Sequence, residues 1–292
     1  MVKYDFPLHF VLLLFLFGMD CYVAAAPLVS ASVNPASGDD LTCNSTSPCK
    51  TIAYAVHQLG ASVVNLSAGV FNESVVSIGN ISTLIISGIP EATIFDCSRR
   101  LVASKAGAAF MILNSSVTIT GVTFSNCNNE AANGGAISAA GSSVVISECR
   151  FLNCSAASGG AVSVSGPGSS LAVTIQNSTF EGNSAIGSCP SDADRPCSTW
   201  GGAIAVLDIP SITVIRCKMA NNRAVTYVPS ASPQASASSN AVAGGGCMSV
   251  LFSGNASGCS VRAFQNTFDR CMVSVASSNG VRVGNGAMCI HH

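Results

Sequence analysis

From residue 117 to residue 271 the chain repeats one phrase, and that repetition limits its fold more than any other feature. The units anchor on Phe124, Phe151, Phe180, Met219 and Phe268. Seven residues before each anchor stand Val117, Val144, Val173, Ile212 and Val261; five before stand Ile119, Ile146, Ile175, Val214 and Ala263. Three after it come Cys127, Cys154, Asn183, Asn222 and Cys271, each preceded by Asn126, Asn153, Gly182, Asn221 or Arg270. A glycine pair closes the unit at 134–135, 159–160, 201–202 and 245–246, and survives in degraded form as "GNGAM" at 284–288.

Apolar residues at alternate positions mark short strands with one buried face. A strand that short cannot bury its face alone. Recurrence at a fixed phase therefore predicts that each unit is one coil stacked on the next. Equivalent residues then lie one parallel strand spacing apart, about 4.8 Å, so Phe stacks on Phe and Asn amides bond along their column. Glycine serves the corners, where positive φ or close backbone approach is required. From glycine pair to next anchor the distances are 17, 21, 18 and 23 residues, whereas from anchor to glycine pair they are 10, 8, 21 and 26. One half of the coil is held nearly constant and the other swells. The insertions at 187–200 and 226–244 are thus expected to project from one side.

Residues 61–120 read as earlier coils with looser phrasing, so the solenoid is expected to span 61–290. Before it, residues 26–60 supply a turn and a short helix, with Ile52, Val56 and Leu59 at helical spacing and Gly60 as the stop. That helix is placed to cover the apolar first end of the stack, whose strand edges need protection. The fold class expected is all-β: a solenoid of stacked parallel coils with an N-terminal capping helix.

Residues 1–25 read as a secretory signal: Lys3, the apolar "FVLLLFLFG", and a small-residue cleavage region ending at Ala25. The apolar run is shorter than the roughly 20 residues a bilayer span requires, so no membrane span is expected after cleavage. Lys plus Arg (13) nearly cancels Asp plus Glu (14), which excludes the clustered cations of a nucleic-acid surface. Fourteen cysteines suit an oxidising compartment, and thirteen remain once Cys21 leaves with the signal. Metal binding is disfavoured, because His57 is the only histidine between Met19 and the terminal pair and no Cys-x-x-Cys occurs. Expected disulfides are Cys43–Cys49, Cys127–Cys154 on adjacent coils, and Cys189–Cys197 across a loop. For the second, a rung of about 4.8 Å falls in the Cα window of about 4.4–6.8 Å. Cys149 and Cys217 share a column, but the coil of Ser178 separates them. Glycosylation sequons stand at Asn44, Asn65, Asn72, Asn80, Asn114 and Asn255, and also at Asn153 and Asn177.

With these columns in hand, the chain resembles the right-handed parallel β-helix superfamily, known as pectin-lyase-like. Its repeats are similar to those of chlamydial polymorphic outer membrane proteins, which alternate GGA(I/L/V) with FxxN. The matching stretches are "GGAI" at 134–137, "GGAV" at 159–162, "GGAI" at 201–204 and "FEGN" at 180–183, while "FSNC" and "FLNC" put Cys in the Asn place. The resemblance implies a secreted or surface-displayed β-helix with an adhesive role. It departs in having no room for the membrane β-barrel those bacterial proteins carry.

The superfamily also contains pectate lyases and polygalacturonases. Glycoside hydrolysis requires two carboxyl groups flanking the bond, and lyase chemistry, as the resemblance implies, requires calcium-binding Asp residues and an Arg base. Here the acidic residues are scattered, and the single Asp-Asp, Asp39-Asp40, precedes the helix in a turn. No catalytic residue, cofactor or metal ligand is assigned; two carboxylates, Asp192 and Asp194, fall short of a calcium shell. Glu148, Arg216 and Gln265 share a column three before the anchor and, with Asp192, Asp194 and Trp200, form the candidate ligand face; the bland alternative is a solvated strand face. Trp200, beside a glycine corner, is weighed as packing against a sugar platform. The reading is a secreted, non-catalytic β-helix binding a glycan or protein at the cell surface. The rival is a carbohydrate-active enzyme on an acidic polysaccharide, favoured if two carboxylates cluster on one face of consecutive coils.

Overall fold

The computed structural model describes residues 28–44, 46–99, 107–129, 132–188, 198–228, 242–253, 259–277 and 280–291. The signal segment, Cys189, Cys197, Asp192, Asp194, Asn255 and most of both insertions lie outside these residues.

The chain winds through four sheets per turn. Sheet 1 has eight strands, running from Ser30–Val33 to Ser260–Phe264. Sheet 2 has seven, Gly69–Phe71 to Thr267–Asp269; sheet 3 has six, Asn128–Asn129 to Gly280–Asn285; sheet 4 has seven, Val76–Gly79 to Met288–His291. One complete coil passes from Ser143–Ser147 in sheet 1 to Arg150–Leu152 in sheet 2, Ser155–Ala156 in sheet 3 and Val162–Ser165 in sheet 4. Pairing between coils is parallel. One exception closes sheet 3: Gly280–Asn285 turns back antiparallel to Met272–Ser277. The segment around "GNGAM" therefore opens on a reversed strand where the repeat predicts a plain corner.

The columns align as their spacing predicts. Phe124, Phe151, Phe180, Met219 and Phe268 are register partners on successive rungs, and the column continues down through Phe95 to Phe71. Phe151 and Phe180 stack with centroids 4.7 Å apart at 6°, and Phe124 and Phe151 at 5.1 Å and 9°. All five rings of the column from Phe71 to Phe180 are buried. Each removes about 1.5–3 kcal/mol of apolar exposure from water. Val144 and Ile146 face the same core from sheet 1, Val162 and Val164 from sheet 4.

From residue 116 on, the corners after sheets 1 and 2 hold two residues between strands, while the corner after sheet 4 opens in the same way but holds from two to eight. The first is left-handed: Asn114 (φ 47°) and Asp208 (56°) after sheet 4, Glu148 (55°) and Arg216 (52°) after sheet 1, Asn153 (53°) and Asn221 (55°) after sheet 2. The second points inward, and where it is Ser or Asn its side chain bonds the backbone of the adjoining coil. Ser142 Oγ accepts from Ser115 N, Ser178 Oγ from Cys149 N, and Asn266 Oδ1 from Cys217 N, at 2.9–3.1 Å. Asn183 Oδ1 accepts from Cys154 N at 2.9 Å while its Nδ2 donates to Asn222 Oδ1 at 2.9 Å. These ladders satisfy backbone donors that a dry interior leaves without water.

The fourth corner, between sheets 3 and 4, uses the glycine pair. Gly134, Gly159, Gly201 and Gly245 are left-handed, with φ from 57° to 72°. Their partners solve a different problem. A Cβ on Gly160 would stand 2.3 Å from Gly202 O, and one on Gly202 2.0 Å from Gly246 O. The first glycine turns the chain and the second lets successive coils close.

The N-terminal end is closed by helix α1 (Ile52–His57), which buries Ile52, Ala55 and Val56 against the first coil. Carboxylates fix its free N–H groups: Asp40 accepts from Lys50 N and Thr51 N, and Glu73 from Ile52 N and Ala53 N. Asp40 thus serves capping, while Asp39 closes a local turn by accepting from Leu41 N and Thr42 Oγ1. At the other end the columns open: Ile290 is 45% exposed, where Val250 one rung below it is buried.

Candidate functional site

Glu148, Arg216 and Gln265 share one edge of the solenoid. With Gly121 and Asn177 they are the left-handed residues of the corner between sheets 1 and 2, all with φ between 49° and 68°. The alternative of a strand face is corrected: these residues lie between strands. The column is a hinge of the coil, exposed because its inward neighbour does the packing. Glu and Arg adopt this conformation at a cost of about 1–2 kcal/mol, so their spacing carried no signal of the turn.

Trp200 lies elsewhere, at the loop corner, in the strand Ser198–Trp200 that pairs with Val242–Gly244. Its indole packs against Gly244: a Cβ there would stand 2.3 Å from Cζ3. The ring is thus engaged in packing the two insertions together. Asp192 and Asp194 fall outside the described residues.

Cys43 is bonded to Cys49, with Cα atoms 4.7 Å apart. The expected Cys127–Cys154 pairing is not the one found. Cys127 is bonded to Cys97 on the coil beneath, at a Cα distance of 4.8 Å, and one sulfur forms one such bond. Cys154 takes no part in it; its Sγ lies 3.6 Å from Leu152 O. Cys97 sits two residues after Phe95 where Cys127 sits three after Phe124, so column alignment alone misses the pair. A third bond, Cys247–Cys271, joins the loop corner to the inward column at 5.2 Å. Its sequence signal was Cys247 in the place held by Ala136, Ala161 and Ala203 in other units. Burial pushes the Cys149 thiol up to about 12 and raises that of Cys217, which makes both poor nucleophiles.

The described sequon asparagines, Asn44, Asn65, Asn72, Asn80, Asn114, Asn153 and Asn177, are all exposed. Four have a second reason to exist. Asn80, Asn114, Asn153 and Asn177 are left-handed corner residues, φ 47–58°, a conformation Asn tolerates better than most. Asn44 Oδ1 closes a turn by accepting from Thr46 N and Ser47 N.

The outward columns of the two adjoining sheets differ in charge. Sheet 2 carries Asp96, Arg150, Glu181, Lys218 and Asp269. No two carboxylates there occupy neighbouring rungs: Glu181 and Asp269 are separated by Ala220, and Asp269 is bound to Arg270 at 3.1 Å. Among the described residues no group of three or more His, Cys, Asp or Glu is placed to hold a metal ion. Sheet 1 presents Ser, Thr, Val, Ile, Asn, Ala and Gln from Ser30 up to Ile215, and its first charge is Arg262 on the last strand. The sequence columns singled out the corner and passed over this face.

Parallel rungs, inward ladders and left-handed corners define a β-helix. The family described as the right handed beta helix region matches residues 91–290, and the chain belongs to it. No curated protein and no solved structure matches the chain. Among the described residues no helix is long and apolar enough to cross a membrane.

Proposed function

We propose that the protein is a secreted or cell-surface β-helix that binds a glycan or protein ligand and performs no catalysis. The observation that carries this reading is the distribution of carboxylates. Glycoside hydrolysis places two carboxyl groups across one bond. Here the described outward columns hold carboxylates only singly or two rungs apart, with Asp269 tied to Arg270. The similarity of the GGAI and FxxN phrases to adhesive outer-membrane repeats supports a binding role. Secretion is supported by the apolar segment ending at Ala25 and by disulfides that join neighbouring coils. The test is incubation of the purified protein with polygalacturonate and other polyuronides. No unsaturated or reducing ends are expected; release of either, abolished by Glu181→Gln or Asp269→Asn, would overturn the reading.

A further inference from the structure

We infer that the outer face of sheet 1 is the binding surface, and that its ligand is a neutral polysaccharide lying along the solenoid axis; this rests on the glycan-binding reading above. The face is eight parallel strands long, about 34 Å at one rung per 4.8 Å. Its register is continuous, so side chains form straight outward tracks. Thr118, Val145, Thr174 and Thr213 make one track, and Gln176, Ile215 and Phe264 end the next.

Two independent features point to the ligand's chemistry. The first is charge. From Ser30 to Ile215 this face offers hydroxyl, amide and aliphatic groups and no ion, while the adjoining sheet 2 carries five charged outward residues. An acidic polymer laid on sheet 1 would lose hydration of its carboxylates and meet one cation, Arg262, in compensation. A neutral polymer exchanges its water-bonded hydroxyls for those of Ser, Thr and Gln at little cost. The second is Phe264. The anchor-column phenylalanines from Phe71 to Phe180 are buried, but Phe264 points outward on the last rung of sheet 1 and is 49% exposed. It stands in register with Ile215, giving an apolar step two rungs from the Gln176 amide. An aromatic face against the C–H face of a sugar ring, flanked by an amide, fixes both position and orientation. The strands beneath are locked by core packing, so the tracks lose little freedom on binding.

The experiment is depletion of the full chain from solution by insoluble cellulose, chitin and β-1,3-glucan, with polygalacturonate as the acidic control. Retention on at least one neutral polymer and none on polygalacturonate is expected. Phe264→Ala should weaken retention about tenfold, the upper end of what an aromatic contact supplies. Thr213→Glu, in the same face one rung below, should weaken it at least as much, while Lys218→Gln on sheet 2 should leave it unchanged. Matching circular dichroism and melting temperatures establish that the variants fold. Neutral-polymer binding that survives both sheet 1 substitutions would overturn the assignment of the face and leave the glycan-binding function standing. Binding confined to polygalacturonate would overturn the neutral ligand. No retention on any polymer would overturn this inference and narrow the function to a protein ligand.

Discussion

From residue 116 on, the corner between sheets 1 and 2 and the corner between sheets 3 and 4 turn the same chain, yet only the second has admitted insertions. The earlier coil, with 88–92 between Leu84–Ser87 and Thr93–Asp96, is the exception at the first. At the first, two residues suffice: Glu148 or Arg216 takes the left-handed turn, and Cys149, Ser178, Cys217 or Asn266 points in to the neighbouring coil. An added residue would push that inward side chain out of its column and strand a buried backbone donor. At the second, the glycine pair restarts the coil after whatever precedes it. Its constraint is local, so anchor and pair can stand 8 or 26 positions apart. A coil can vary only where its packing does not depend on the length of the connection.

The contrast predicts a hierarchy of sensitivity. The largest effect should come from Gly202→Val, whose Cβ would lie 2.0 Å from Gly246 O and 2.6 Å from the Arg223 backbone. Because backbone is struck on both sides, we expect more than about 4 kcal/mol of destabilisation and no cooperative melting transition. Phe151→Ala opens the centre of the stacked column. It should cost about 3–5 kcal/mol in denaturant unfolding while leaving the circular dichroism β-like. Asn183→Ala removes the acceptor of Cys154 N and the donor to Phe151 O and Asn222 Oδ1. About 2–3 kcal/mol should be lost, because a buried donor is left without a partner. The smallest effect belongs to the hinge itself. Glu148→Gly replaces a left-handed glutamate at an exposed position, so stability should rise by up to about 1 kcal/mol in a thermal scan. A comparable loss there would mean that the Glu148 side chain supports the corner.

The fold was legible where the sequence repeats a packing demand. Phe124, Phe151 and Phe180 announce their column because each must fill the same slot, and the alternation of Val144 and Ile146 follows from a strand with one dry face. Legibility failed where one conformation is open to many side chains. Arg216 and Gln265 occupy the turn that Asn153 and Asn221 occupy elsewhere, and nothing in their chemistry announces positive φ. It failed also where a coil was rebuilt. Phe71 and Phe95 belong to the anchor column, but without a glycine pair after them the phase cannot be read, and Cys97 is hidden with it. The face of sheet 1 escaped notice because its signal is the lack of charge across seven successive strands, which only the register assembles into one surface.

Stacked rungs in parallel register are the claim on which the remainder stands. They are tested most directly by disulfide trapping at the outward pair Val145 and Thr174, register partners on neighbouring strands of sheet 1. In the double variant Val145→Cys, Thr174→Cys, mild oxidation followed by peptide mapping should recover a cystine joining the two substituted positions in high yield. The double variant Val145→Cys, Gln176→Cys should give none, because its second site lies two residues along the strand. Trapping of the second pair in preference to the first would contradict the parallel register, and with it the Phe column, the corner ladders and the uncharged face.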